Sequence, residues 1–137
     1  MAFIRSKTEE RTGIQIRALP DVHTDLQCDF VMVYGFDPTT PDRIKLYKDK
    51  GYVIHFMSGI SWGNYTDYLD GIYDGKNHWD EAQTDRYGNR IMHSERSPYM
   101  VPTVSFADYI ANRLRIVVDA GVEAIHVEEP EFWDRAG

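Results

Sequence analysis

Cysteine and basic charge are both scarce in this sequence. Cys28 is the one cysteine among 137 residues, which excludes an internal disulfide framework and a cysteine-based zinc finger. Fifteen Lys and Arg stand against 22 Asp and Glu, and the formal net charge is −7. Because binding to a phosphate backbone needs a basic surface, nucleic acid is not an expected partner. We interpret Cys28 as an inert, buried thiol.

Long apolar runs are also missing. No stretch approaches the ~18 apolar residues that span a bilayer, so no membrane partner is expected. Residues 1–12 are polar and contain no apolar core of a secretory signal; we interpret them as a lead-in and take the cytoplasm as the default compartment. The ten glycines form neither GxGxxG nor a P-loop, and no GxSxG occurs. We expect no cofactor.

What the sequence does contain is an alternation of apolar runs with helical segments. Residues 30–34 and 52–57 are continuous apolar runs, typical of strands that are covered on both faces. Residues 41–50 predict the helix between them, which completes a βαβ unit. A second helix over 105–121 leads directly into a strand over 122–127. This order predicts an α/β fold with a parallel sheet.

Capping residues set the expected ends of these helices. Thr40 is the predicted N-cap of the first helix, with Pro41 at its first position and Gly51 at its end. Residues 105–108, Ser-Phe-Ala-Asp, fit a capping box for the second helix, which Gly121 closes.

Two segments fall outside this alternation. Residues 13–19 predict a short strand, but about ten residues separate it from the next strand, fewer than a parallel crossover needs. We therefore expect a hairpin partner or an edge strand. Residues 58–102 show little periodicity and are rich in Gly, Asp, Asn, Tyr and Trp. Loops of this length are uncommon unless functional, so we expect an ordered active-site excursion, with a short helix near residues 62–69.

Chemically active side chains follow the predicted strands, where α/β proteins bind their ligands. Tyr34 and Asp37 follow one strand, and the adjacent acids Glu128 and Glu129 follow the last. Paired acids at a strand end are candidates for general acid–base catalysis. Alternatively, Pro130 begins a helix whose N-terminal dipole these acids complement.

The sequence of residues 125–130, Ile-His-Val-Glu-Glu-Pro, resembles the strand-end Asn-Glu-Pro motif of (β/α)8-barrel (TIM-barrel) glycoside hydrolases. The resemblance implies a carbohydrate substrate, with Glu129 as acid/base. Glu128 replaces the Asn whose amide usually contacts the sugar 2-hydroxyl. The motif ends the fourth strand in those hydrolases but the third parallel strand predicted here. The match therefore requires a further strand near residues 100–104, or it extends to barrel enzymes more broadly.

Alternation along the last strand leaves two assignments open. If Ile125 and Val127 face the barrel interior, Glu129 lies at the site; if His126 does, Glu128 lies there. The aromatic residues of the long loop offer flat faces for a sugar ring: Trp62, Tyr65, Tyr68, Tyr73 and Trp79. The expected substrate-binding residues are Tyr34, Asp37, His55, Trp62, His78, Asp80, His126 and Trp133.

Two other functions stay open at this point. His55, His126 and Glu128 are conceivable ligands of a divalent metal in a barrel lyase or isomerase, although we expect no metal. The chain is alternatively a non-catalytic carbohydrate-binding protein. Because an eight-fold barrel typically needs ~200–250 residues, we expect residues 13–137 to be the N-terminal part of a barrel in a longer protein, inactive and poorly soluble alone. The oligomeric state stays open.

Overall fold

The computed structural model describes residues 12–128, and these fall into two compact units. The first unit holds residues 12–57 and 116–126, and the second holds residues 58–115 and 127–128. In chain order the elements are β1 (Gly13–Ile16), β2 (Phe30–Tyr34), α1 (Thr40–Asp49), β3 (Val53–Gly59), α2 (Thr66–Leu69), a 3₁₀ turn (Trp79–Glu81), β4 (Met92–Ser94), β5 (Ser97–Pro98), α3 (Val104–Ala120) and β6 (Ala124–Glu128).

Four strands form one parallel sheet in the order β1-β2-β3-β6. β1 pairs with β2 and β2 with β3, both parallel. The Glu123 N–H donates to the Ile54 carbonyl at 2.8 Å, and the Ile60 N–H to the Glu128 carbonyl at 3.4 Å. The same ends of β3 and β6 therefore lie side by side. The predicted α/β class with a parallel sheet is confirmed.

β1 is the edge strand of the sheet. The sequence predicted either an edge strand or a hairpin partner here. The hairpin alternative is wrong, because β1 runs parallel to β2. Residues 17–29 make the crossover without a helix, and side chains of α1 bind its carbonyl groups. Arg43 donates to the Arg17 carbonyl at 2.9 Å and the Tyr47 hydroxyl to the Ala18 carbonyl at 3.0 Å. These contacts replace the backbone bonds that a crossover helix would supply.

The additional parallel strand is therefore β1 and not a strand near residues 100–104. In that segment Met100 forms only an isolated bridge with Ala82, and Val104 already begins α3. Among residues 12–128, β6 is consequently the fourth strand of the sheet in chain order.

The core of the first unit lies against one face of this sheet. Val31 and Val33 are 0% exposed, and Ile54 beside them is also fully buried. Met32 and Tyr34 alternate with the two valines and are only half-buried. β2 thus separates a closed, aliphatic face of the sheet from a more open and more polar face.

Both helix starts differ from the predicted caps. α1 is capped at Thr39, one residue before the predicted Thr40, and Thr39 makes no side-chain cap bond. The Asp37 carboxylate instead accepts the Thr39 N–H at 2.7 Å. At α3 the Thr103 hydroxyl accepts the Phe106 N–H at 3.0 Å. Ser105 is not the cap, because it lies inside α3 and its hydroxyl is hydrogen-bonded to that of Tyr68 at 2.9 Å.

The second unit is built around an aromatic cluster. α2 lies within the segment where the sequence predicts a short helix, and its Tyr68 packs against Phe106 and Tyr109 of α3. The buried members of the cluster are Tyr65, Tyr68, Leu69, Met100, Phe106, Tyr109 and Ile110.

No helix among residues 12–128 has the length and apolarity that crossing a membrane requires.

Candidate functional site

Two histidines meet on the open face of the sheet in the first unit. The His55 Nδ1 atom of β3 lies 2.9 Å from the His126 Nε2 atom of β6. The His55 ring stacks on Phe30, with centroids 4.1 Å apart, and is 7% exposed. His126 is exposed. A neutral imidazole has one donor and one acceptor, so one of the two facing nitrogens donates and the other accepts, and His126 is the exposed member of the pair.

The position of His126 bears on the two strand-end acids. Residues two apart in a strand point to the same side, so β6 places Glu128 on the side of His126. Val127 lies on the other side and is 51% exposed. The Glu128 side chain is exposed, and which of the two acids lies at the site stays a prediction. Glu129 and Trp133 lie outside the described residues.

Arg43 holds the loop that follows β2. This buried guanidinium, 2% exposed, donates to the Gly35 carbonyl at 2.6 Å and to the Tyr34 carbonyl at 3.2 Å. It also donates to the Thr40 hydroxyl at 2.8 Å. The expected substrate residue Tyr34 therefore ends β2 directly before a loop that charge-assisted hydrogen bonds hold in place.

Asp37, also an expected substrate residue, is engaged at the start of α1. Hydrogen bonds from the Thr39 hydroxyl and N–H lower the pKa of its carboxyl. The charge of Arg43, 3.8 Å away, also lowers this pKa, while partial burial raises it by less than these contacts lower it. A lowered pKa means that Asp37 stabilises the fold above the ordinary carboxyl range and that this contribution is lost as the pH falls. Its first role is therefore to organise the helix start.

In the second unit, His78 lies between two carboxylates. Its Nε2 atom is 2.8 Å from Asp74 Oδ2 and its Nδ1 atom is 2.8 Å from Glu81 Oε2. The ring is 7% exposed and stacks on Tyr68 with centroids 3.9 Å apart. Because a carboxylate only accepts, both contacts are hydrogen bonds when both ring nitrogens carry protons. The structure thus places His78 inside an internal network, with both nitrogens engaged.

Glu81 extends this network to α3. Its carboxylate accepts hydrogen bonds from the hydroxyls of Tyr68 and Thr103. Burial, and then the hydrogen bond to Glu81, raise the pKa of Tyr68 to about 12. The network therefore ties the polar segment after α2 to the first turn of α3.

The loop aromatics divide between core and surface. Tyr65 and Tyr68 are 2% and 0% exposed, so they build the core and offer no face to a sugar. Trp62 is half-buried and stacks on His93 with centroids 3.5 Å apart. Trp79 is also partly buried and lies against arginines.

Asp80 is exposed and lines an open groove in the second unit. Arg90 shares this groove and is not among the site residues that the sequence predicted. The available signal was the turn sequence at residues 85–88, Asp-Arg-Tyr-Gly, which predicts a tight turn that brings its flanking side chains together.

Comparison with protein-family models, with curated proteins and with solved structures found no match to this chain.

Proposed function

We propose that this protein is a glycoside hydrolase of the (β/α)8-barrel type, which cleaves glycosidic bonds with carboxylates as acid and base. The observation that supports this most directly is the place of β6, the fourth strand of the sheet in chain order. Glu128, Glu129 and Pro130 follow at its end. In the hydrolases that this motif resembles, Asn-Glu-Pro ends the fourth strand as well.

The strand order also supports a barrel. Open doubly wound sheets reverse their strand order at a switch point, whereas in β1-β2-β3-β6 each strand lies beside its predecessor. Because parallel crossovers are right-handed, such an order places successive connections on one face of the sheet. That is the winding of a (β/α)8 barrel, whose ligands bind at the carboxyl ends of the strands.

Two acids receive separate roles in this proposal. By resemblance, Glu129 is the acid/base that protonates the leaving oxygen and later activates water. Glu128 occupies the position of the Asn, and its carboxylate accepts a hydrogen bond from a sugar hydroxyl. Since β6 alternates, Glu128 shares its side of the strand with His126, the exposed member of the histidine pair.

A metal-dependent lyase or isomerase is the second candidate, and the contact between His55 and His126 is its one supporting observation. Two features weigh against it. Residues 12–128 contain no group of three His, Cys, Asp or Glu side chains that could hold a metal ion. The two facing nitrogens also form a direct hydrogen bond, which uses the atoms that a metal would need.

Substitution of the two acids in the complete protein tests the proposal, with a panel of chromogenic glycosides as substrates. Because general acid–base catalysis contributes roughly 10²–10⁴-fold, we expect Glu129→Gln to lower turnover by at least about a hundredfold. Glu128→Gln should mainly weaken substrate binding. Glu95→Gln, at an exposed turn, is the matched control and should leave turnover unchanged.

Three results would overturn the assignment. Full activity in both strand-end variants would exclude them as the acid/base. Loss of activity with EDTA and recovery with a divalent ion would favour the metal enzyme. Saturable sugar binding without turnover of any glycoside would leave a carbohydrate-binding protein.

A further inference from the structure

The open groove in the second unit carries two charges that the proposed chemistry does not use. Its volume is about 430 Å³, which is in the range of small-molecule sites. One side chain brings a guanidinium and another a carboxylate, while the rest of the lining is aromatic, hydroxyl and amide. The residues that line the groove are Trp79, Asp80, Thr84, Gly88, Asn89 and Arg90.

Arg90 is held in a fixed orientation at this groove. Its Nε–H donates to the Trp79 carbonyl at 3.1 Å, and its guanidinium carbon lies 5.4 Å from the centroid of the Trp79 ring. Within residues 12–128 no carboxylate forms an ion pair with Arg90. Arg96 also lies near Trp79, but it is paired with Asp70. Arg90 therefore keeps its terminal N–H donors for a ligand, in the planar fork that matches a carboxylate.

Another part of the groove is a tight turn that its own hydrogen bonds hold. The Asp85 carboxylate accepts the N–H groups of Tyr87 and Asn89, both at 2.9 Å. The Gly88 N–H donates to the Asp85 carbonyl at 3.0 Å, and Gly88 has the positive φ of 84° that glycine adopts without strain. The wall is thus preorganised, and a ligand would not have to order it.

We propose that this groove is a subsite for an acidic sugar, in which Arg90 binds the carboxylate of a uronic acid residue. Asp80 accepts hydrogen bonds from the ring hydroxyls of the same sugar. That the ligand is a sugar rests on the proposed function, and the charge of the groove specifies that this sugar is acidic. A neutral sugar would leave the arginine fork without an anion, and a simple inorganic anion would leave Asp80 without the ring hydroxyls of a sugar.

Isothermal titration calorimetry of the full chain with digalacturonate tests this subsite, with a neutral galactose disaccharide and inorganic phosphate as comparison ligands. Because a charge-assisted pair is worth about ten- to a hundredfold in affinity, Arg90→Gln should weaken digalacturonate binding by that factor. Arg90→Lys should recover only part of it, since lysine keeps the charge without the fork. Arg86→Gln is the matched control, because Arg86 lies on the same turn against Tyr87 and does not line the groove; it should bind like the parent.

Asp80→Asn supplies a second variant, expected to lose affinity for digalacturonate but not for phosphate. Thermal unfolding of each variant shows whether it is folded. Equal affinity for the neutral disaccharide, phosphate binding as tight as that of digalacturonate, or equal losses in Arg90→Gln and Arg86→Gln would overturn the subsite. Turnover of neutral glycosides with no uronate binding overturns the subsite alone. Uronate binding that depends on Arg90 in a protein without turnover overturns the hydrolase proposal and leaves the subsite.

Discussion

At the scale of single residues, Glu81 shows how the second unit satisfies a buried charge. The hydroxyls of Tyr68 and Thr103 donate to its carboxylate, and the His78 Nδ1 atom lies 2.8 Å from it. Its side chain is 13% exposed, so most of the hydration that a free carboxylate would have is replaced by these donors. Removal of one of these donors would therefore leave the shielded carboxylate with an unsatisfied hydrogen-bond acceptor and would lower the stability of the fold.

Tyr68→Phe tests this dependence. The substitution keeps the ring in the core and removes a hydroxyl that bonds both Glu81 and Ser105. A hydrogen bond to a charged group is worth about 1.5–3 kcal/mol, so the free energy of unfolding in urea should fall by about that amount. Tyr87→Phe, at a tyrosine that is 70% exposed, should change it by less than about 0.5 kcal/mol. Equal effects of the two substitutions would show that the network adds no stability.

At the scale of elements, the sequence predicts which segments are helices and strands better than where they begin. β2 spans Phe30–Tyr34 as predicted, and the helix face of α3 with Ile110 and Val117 is buried. The caps shift because several hydroxyls lie near each helix start. Thr103 takes the cap of α3 since the Ser105 hydroxyl is engaged by Tyr68, a partner 37 residues away in the chain.

Thr103→Ala should therefore destabilise α3 at its start. Loss of an N-cap hydroxyl costs about 1 kcal/mol, and this hydroxyl also donates to Glu81, so we expect a loss of about 1–2 kcal/mol in the free energy of unfolding. Thr103→Ser keeps the hydroxyl and should recover most of that stability. A serine variant as unstable as the alanine variant would show that the threonine methyl group, and not the cap, is responsible.

At the scale of the whole molecule, buried tyrosines make stability depend on alkaline pH. Burial raises the pKa of Tyr65 and Tyr109 and raises that of Tyr68 to about 12. In the unfolded chain these groups titrate near ~10. Between about pH 10 and 12 the unfolded state therefore loses protons that the folded state keeps, and the free energy of unfolding falls as the pH rises.

Absorbance at 295 nm during a pH titration measures this difference directly. A tyrosine in contact with water ionises near ~10. Tyr65, Tyr68 and Tyr109 should ionise only as the protein unfolds, together with the loss of far-ultraviolet circular dichroism. Ionisation of all tyrosines in one step near pH 10, with the fold intact, would contradict the burial of this cluster.

The sequence by itself determined the α/β class and the parallel pairing, because apolar runs, helix periodicity and terminal glycines are local signals. It also indicated the strand-end acids. Only the tertiary structure decided that β1 is a parallel edge strand, which makes β6 the fourth strand. The tertiary structure alone also decided that Tyr65 and Tyr68 lie in the core. It placed His78 between two carboxylates and the Arg90 guanidinium against the Trp79 ring. These outcomes depend on contacts between residues far apart in the chain, and composition and spacing do not specify such contacts.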